Sequence, residues 1–191
     1  MKINISTGLL HQASYIPSPN HDDRQSEGDL SLIVLHNISL PPEQFGSEHI
    51  NQLFTNTLCS SDHPFFAEIS HLKVSSHILI RRDGEIVQYV PFHKRAWHAG
   101  VSCFQGRGTC NDFSIGIELE GTDNTPFCDI QYAVLVELLN ALKTSYFIGG
   151  EPAITGHEHI APGRKTDPGP YFDWKRLGDA LGQNLPTQAV I

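Results

Sequence analysis

The stretch ITGHEHIAPGRKTDPGP, residues 154–170, brings together several side chains that can do chemistry. It holds two imidazoles, His157 and His159, an ammonium, Lys165, and a carboxylate, Asp167, and prolines stiffen its end. Imidazole nitrogen and carboxylate oxygen are both zinc ligands, and a catalytic zinc site uses three protein ligands and leaves one position for water. The stretch therefore predicts part of a metal site on a rigid, exposed loop.

A short apolar run, LIVL, ends at a second candidate ligand, His36. Such a run is typical of a strand buried on both faces, and ligand sites gather at the ends of strands in α/β sheets. His157 follows a predicted strand at residues 153–155 in the same way, so the two imidazoles can meet. A hydrogen-bonded core histidine is the alternative for His36. Spacing alone leaves the third ligand open between Asp167 and His159.

Candidates for acid–base chemistry lie on the stretch SIGIELEG. Glu118 and Glu120 alternate with apolar residues, so both point to one face of a predicted strand. A carboxylate on a buried strand costs free energy unless it has a partner or a function, which makes the pair candidates for a general base. Solvation at an edge strand is the alternative, favoured for Glu120 by the turn expected at Gly121. Lys165 is suited to stabilise an oxyanion, or is a solvated lysine paired to a nearby aspartate.

The elements that must position these residues form a mixed pattern. An Asp-Gly pair between apolar runs at 78–80 and 86–90 predicts a β-hairpin, and residues 113–119 predict another strand. From Asp129 apolar residues recur at three- and four-residue steps, which predicts a helix that Asp129 caps. Near the end of the chain, Asp173 can cap a helix over 174–181. The sum predicts an α/β domain with a mixed sheet.

Composition narrows the partners and the compartment. The net charge of −8 at pH 7 offers no basic field for nucleic acid or anionic lipid. The N-terminal residues lack the apolar core of a signal peptide, and no stretch approaches the length of a membrane span. The four cysteines form no Cys-x-x-Cys pair and predict free thiols. We expect a cytoplasmic protein that binds neither nucleic acid nor membrane.

Five segments carry a family resemblance: LIVLHNISL, VSSHILIRRDGEIVQYVPF, KRAWHAGVS, NDFSIGIELEGTD and TGHEHIAPGRKTDPGP. Together, and in this order, they resemble the zinc-dependent N-acetylmuramoyl-L-alanine amidases of type 2. Within that family the chain is similar to the cytoplasmic anhydro-N-acetylmuramyl-L-alanine amidases of cell-wall recycling. The similarity runs from about residue 15 to about residue 176.

The resemblance implies roles for individual residues. The family's zinc ligands fall on His36, His157 and Asp167, so the third ligand would be the aspartate. The family's general base falls on Glu118, which would activate the attacking water. Lys165 falls on the lysine that helps to stabilise the tetrahedral intermediate. The implied cofactor is therefore one Zn²⁺ ion.

Implied contacts with the substrate are more loosely defined. Arg164 has the planar guanidinium that suits a carboxylate of the stem peptide, and Asn37 can hydrogen-bond the substrate amide. His98, beside Trp97, resembles a wall of the substrate groove, with a core tryptophan and a surface histidine as the alternative. Lys73 stands where similar amidases carry an arginine, which implies an altered grip on the peptide.

The resulting expectation is a single domain over residues 1–191 with a central mixed β-sheet flanked by helices, as in the type 2 amidase and phage lysozyme-amidase fold. The expected activity is zinc-dependent hydrolysis of the amide between the lactyl group of (anhydro-)N-acetylmuramic acid and L-alanine, during peptidoglycan recycling. The substrate would be a small anhydro-muropeptide, and the protein a monomer. The alternatives are a non-catalytic module that binds peptidoglycan fragments and an amidase that acts on intact murein.

Overall fold

The computed structural model describes residues 1–26, 28–147 and 150–185. In these residues the strands are β1 (Ile3–Asn4), β2 (Leu9–Leu10), β3 (Ser14–Tyr15), β4 (His21–Asp23), β5 (Leu32–Ile38), β6 (Ile78–Ile80), β7 (Ile86–Gln88), β8 (Lys94–Ala96), β9 (Cys103–Phe104), β10 (Arg107–Gly108), β11 (Ser114–Glu120) and β12 (Ala153–Gly156). The helices are α1 (His49–Phe54), α2 (Pro64–Ile69), α3 (Asp129–Tyr146), α4 (His157–Ile160) and α5 (Trp174–Leu181), with a 3₁₀ turn at Cys110–Asp112.

A mixed six-stranded sheet forms the centre of the fold, in the order β12-β5-β11-β6-β7-β3. β11 pairs in parallel with β5 and β6, and β12 pairs in parallel with β5. β6 and β7 form the predicted antiparallel hairpin. The prediction of an α/β fold with a mixed sheet is confirmed. Because β12, β5 and β11 are parallel, their carboxyl ends lie at one edge of the sheet.

Apolar residues cover both faces of this sheet. On one face, alternate residues of β5 and β11 pack against the buried sides of α3 and α5. On the other face, α1 and α2 cover the β6–β7 hairpin, and α4 packs near β5. Both faces of the central strands are therefore buried, as their continuous apolar runs predict. Within the described residues, no helix combines the length and the apolar character needed to cross a membrane.

Most predicted elements are present, with shifted ends. β5 continues to Ile38, so His36 lies inside the strand and not at its end. α3 begins at Asp129, but Cys128 occupies the capping position, so the predicted cap is one residue too late. α5 matches its prediction: the Asp173 side chain accepts a hydrogen bond from the Arg176 backbone N–H at 2.8 Å.

Two expectations about individual positions are wrong. Glu120 does not solvate an edge strand, because β11 lies between β5 and β6 and the Glu120 side chain is only 2% exposed. Its carboxylate instead accepts the backbone N–H of Gly46 at 2.6 Å and pairs with Arg81 at 3.6 Å. The predicted exposed loop is wrong at its start, since His157 is buried and begins α4, whereas residues 162–166 are exposed and lie in a loop.

Candidate metal centre and active-site cavity

Three side chains converge at the carboxyl edge of the central strands. His36 comes from β5, His157 follows directly after β12, and Asp167 lies in the loop between α4 and α5. Nδ1 of His36 lies 3.0 Å from Nδ1 of His157, and each of these atoms lies 3.0 Å from Oδ2 of Asp167. The fold therefore brings together the two histidines and the aspartate that the resemblance implies as ligands.

The chemistry of this cluster fits a zinc ion. Two atoms bound to one zinc at about 2.0–2.2 Å can lie at most about 4.4 Å apart, and the three separations of 3.0 Å are within that limit. Burial, together with the neighbouring His157, lowers the pKa of His36 to about 4, so its ring is neutral at pH 7. Neutral imidazole is the form that binds metal.

A glycine in β12, Gly156, makes room for the loop that carries the third candidate ligand, Asp167. A Cβ on Gly156 would lie 2.8 Å from Cδ of Pro168, the residue after Asp167. Only a residue without a side chain lets the Asp167 loop approach β12 this closely. The rival ligand, His159, does not join the cluster. Its Nδ1 accepts the backbone N–H of Gly156 at 3.0 Å.

Glu118 lies beside the cluster with an unused carboxylate oxygen. It is the register partner of His36 across the parallel β5–β11 pair, so the two side chains share a face of the sheet. The residue is buried, and its Oε2 atom has no hydrogen-bond partner among the described residues. Burial, reinforced by the charge of Asp167 and opposed by Lys165, raises the pKa of Glu118 well above its ordinary value. The arrangement leaves this oxygen available to exchange a proton.

A cavity of about 290 Å³ opens above the cluster. Its polar end includes the three clustered side chains, Glu118 and Lys165. Most of its apolar lining comes from α1, α2 and the segment after α2, namely Leu53, Phe54, Phe65, Ile69, Leu72 and Val74. Lys165 is exposed and also borders a second, polar cavity beyond Asp167. The site thus joins a polar reaction end to an apolar groove.

Two of the predicted substrate contacts, Asn37 and Arg164, make hydrogen bonds within the protein. Nδ2 of Asn37 donates to Oδ1 of Asp123 at 2.7 Å and to the carbonyl of Pro168 at 3.0 Å. Nη2 of Arg164 donates to the carbonyls of Ala99 and Val101, both at 2.7 Å. Both residues line the polar cavity, and their contact with substrate stays a prediction.

The remaining two predicted contacts differ in position. Lys73 is exposed between two residues that line the apolar groove. His98 borders the cavity, but its ring nitrogens lie against His36 and Ser114, at 3.0 and 3.2 Å. Sequence reasoning gave His98 no link to the candidate ligands, and it gave no role to Ser114. The spacing of WHAG carries no signal for such contacts.

The chain belongs to the N-acetylmuramoyl-L-alanine amidase family, whose model matches residues 26–170. A protein of Enterobacter cloacae named 1,6-anhydro-N-acetylmuramyl-L-alanine amidase AmpD is 59% identical over 177 residues, which cover 91% of this chain and 92% of that protein. The Escherichia coli K12 protein of the same name is 58% identical and is covered to 94%.

Solved structures agree in fold and extent. A crystal structure of a selenomethionine AmpD derivative has a TM-score of 0.90 and 56% identity, over 95% of this chain and 99% of that one. The amidase AmiD from E. coli, in complex with anhydro-N-acetylmuramic acid-L-Ala-D-γ-Glu-L-Lys, has a TM-score of 0.59 and 28% identity over 88% of this chain and 63% of its own.

Proposed function

We propose that this protein hydrolyses the amide bond between the lactyl group of 1,6-anhydro-N-acetylmuramic acid and the L-alanine of the stem peptide, with one zinc ion as cofactor. The observation that carries the proposal is the convergence of three ligand atoms, each 3.0 Å from the others, beside the unpartnered carboxylate oxygen of Glu118. Metal-assisted amide hydrolysis needs both parts in one cavity.

His36, His157 and Asp167 would hold the zinc ion. Bound there, the ion supplies Lewis acidity and makes water a stronger nucleophile near neutral pH. His159 has no part in this site, because the cluster of ligand atoms consists of His36, His157 and Asp167. Since the ligands come from β5, from the start of α4 and from the following loop, the ligand set depends on the folded sheet.

Glu118 acts as the general base and then as the general acid. Its carboxylate accepts a proton from the attacking water, and it returns that proton to the nitrogen of L-alanine as the C–N bond breaks. Lys165 stabilises the negative charge that develops on the carbonyl oxygen. The lactyl group leaves with a carboxylate and the peptide with a free amine, so the atoms of one water are divided between the two products.

The substrate class is supported by the names of the relatives and by the shape of the cavity. Two relatives at 58–59% identity are named for the anhydro sugar, and a complex of a third contains an anhydro-muramyl peptide. The cavity, about 290 Å³ and partly apolar, is large enough for part of such a molecule. We further propose that the enzyme acts in the cytoplasm on soluble fragments, as a monomer.

Incubation of the purified protein with anhydro-N-acetylmuramyl tripeptide, followed by mass spectrometry, tests the proposal. We expect the anhydro sugar and the free tripeptide as products, no reaction after treatment with a chelator, and recovery when zinc is added. Binding of the muropeptide without release of an amine would instead support the non-catalytic module. Faster release of peptide from intact murein than from the soluble fragment would contradict the proposed substrate.

A further inference from the structure

The nitrogen of His36 that points away from the candidate metal site begins a chain of polar contacts. Its Nε2 lies 3.0 Å from Nδ1 of His98, and Nε2 of His98 lies 3.2 Å from Oγ of Ser114. The Ser114 hydroxyl donates to the carbonyl of Cys110 at 2.6 Å. The chain therefore runs from a candidate ligand to the backbone.

The carbonyl at its end fixes the direction of every bond in the chain. A carbonyl only accepts, so the single hydroxyl proton of Ser114 is used there and its oxygen accepts from His98. The neutral His98 ring has one proton, which is therefore on Nε2, facing that oxygen. Nδ1 of His98 then accepts, which requires the proton of His36 on Nε2. The lone pair of His36 is left on Nδ1, facing Asp167.

The tautomer of the second candidate ligand, His157, is set by Ala99, the residue after His98. Nε2 of His157 lies 3.0 Å from the carbonyl of Ala99, which again can only accept, and farther, at 3.4 Å, from Nη2 of Arg164, which donates to that same carbonyl at 2.7 Å. The proton of His157 is therefore on Nε2 and its lone pair on Nδ1. Adjacent residues thus set both tautomers, one through a side chain and one through a backbone carbonyl.

We term His98 and Ala99 the 98–99 segment. Hydrogen bonds and a close packing contact hold this segment in place. Oδ1 of Asn111 accepts both of its backbone N–H groups, at 3.1 Å from His98 and 2.8 Å from Ala99. Arg164 donates to the same Ala99 carbonyl at 2.7 Å. The ring of His98 also rests on Gly116, where a Cβ would lie 2.4 Å from its Cγ atom. The segment has little freedom to turn.

We propose that the 98–99 segment is a positioning device that holds both ligand histidines in the tautomer with a free Nδ1 lone pair, and that His98, anchored by Ser114, is its principal positioning residue. The proposal rests on the zinc site proposed above. Without the His98 acceptor, the proton of His36 can move to Nδ1 and bond to Asp167 Oδ2, 3.0 Å away. That arrangement competes with metal binding.

The test compares His98→Leu, which removes the acceptor, with His98→Gln, whose side-chain oxygen can still accept from His36. Ser114→Ala removes the hydroxyl that accepts from His98. His11→Leu is the matched control, because it makes the same substitution at an exposed histidine distant from His98 in the sequence. Zinc dissociation constants come from competition with a chromogenic chelator. We expect His98→Leu to weaken binding by about 10- to 100-fold, the usual effect of losing such a partner. Ser114→Ala should fall between wild type and His98→Leu, and His98→Gln and His11→Leu should stay near wild type.

A second readout needs no metal and no variant. Long-range ¹H–¹⁵N spectra of the metal-free wild type report which nitrogen of each histidine carries the proton, and we expect Nε2 for His36, His98 and His157. A proton on Nδ1 of His36 or His98 would overturn the proposal even if His98→Leu does not fold. Wild-type zinc affinity in His98→Leu would overturn it as well, while the zinc site stood. A wild type that binds no zinc would contradict the proposed function itself.

Discussion

Gly116 lies on β11 beneath the ring of His98, and a methyl group at this position has no room. A Cβ there would lie 2.4 Å from Cγ, 2.6 Å from Nδ1 and 2.7 Å from Cδ2 of that ring. Non-bonded carbon atoms prefer about 3.5–4.0 Å, so Gly116→Ala must push the ring away by on the order of 1 Å. The 3.0 Å contact between His98 and His36 would then be lost.

The cost of this change can be worked out from two opposing effects. Overpacking a core costs about 1–3 kcal/mol, and alanine regains about 0.5–1 kcal/mol over glycine within a strand. The expected net loss in the free energy of unfolding is on the order of 1–2 kcal/mol. For a chain of this length that lowers Tm by about 2–8 °C. Weaker zinc binding should accompany it, because His36 loses its partner.

Thermal unfolding of the metal-free protein, followed by circular dichroism, measures the first effect, and chelator competition measures the second. Gly108→Ala is the matched control, since the nearest atom to a Cβ there, the carbonyl oxygen of Ser102, is 3.8 Å away. We expect that variant to stay within about 0.5 kcal/mol of the wild type. If Gly116→Ala keeps both the Tm and the zinc affinity of the wild type, the ring of His98 is not held as described.

Three further outcomes are expected. Glu118→Gln should bind zinc as the wild type does but lower kcat by about 10²–10⁴-fold, and a steady-state assay beside a zinc titration separates the two effects. Lys165→Met should lower kcat by about 10²–10³-fold with little change in KM, and a dominant rise in KM would instead indicate a role in substrate binding. His77 should make the free energy of unfolding depend on pH. Its Nδ1 accepts the Gly116 N–H at 3.0 Å, and its Nε2 donates to the carbonyl of Lys94 at 3.0 Å. Burial and the charge of Arg24 lower the pKa of the His77 ring from 6.5 to about 3. Between pH 3 and pH 6.5 this residue binds a proton in the unfolded chain but not in the folded one. The stability that the neutral His77 ring contributes is therefore present above pH 6.5 and is lost as the pH falls toward 3. Urea unfolding at several pH values gives the slope of the free energy of unfolding against pH. In this window the slope of the wild type should be steeper than that of His77→Gln by up to about 1.4 kcal/mol per pH unit, and equal slopes would contradict the assignment.

The central strands and the helices α3 and α5 were predictable because their patterns are local. β5 and β11 are continuous apolar runs, and the apolar spacing after Asp129 has helical period. The short helices α1 and α2 were not predicted. Each has only six residues, too few for a periodic signal, and Phe66 of α2 is buried by tertiary contacts. The apolar wall of the cavity was therefore missed as well.

The residues of the site were also predictable only in part. His36 and His157 could be expected to meet because each stands at the end of a predicted strand, and the family resemblance added Asp167 and Glu118. The contacts behind the ligands could not be predicted. They depend on the three-dimensional approach of the 98–99 segment to β11, and on a backbone carbonyl, Ala99 O, that has no sequence signature. The position of Glu120 was misjudged because strand order cannot be read from a single strand.

The proposed mechanism requires that His36, His157 and Asp167 bind one zinc ion. Anomalous X-ray scattering at the zinc absorption edge, from crystals of the zinc-loaded protein, tests it most directly. We expect one ion per chain, bound by Nδ1 of both histidines and by a carboxylate oxygen of the aspartate. An ion bound through Nε2 of either histidine, an ion held by His159, or no ordered zinc at this position would contradict it.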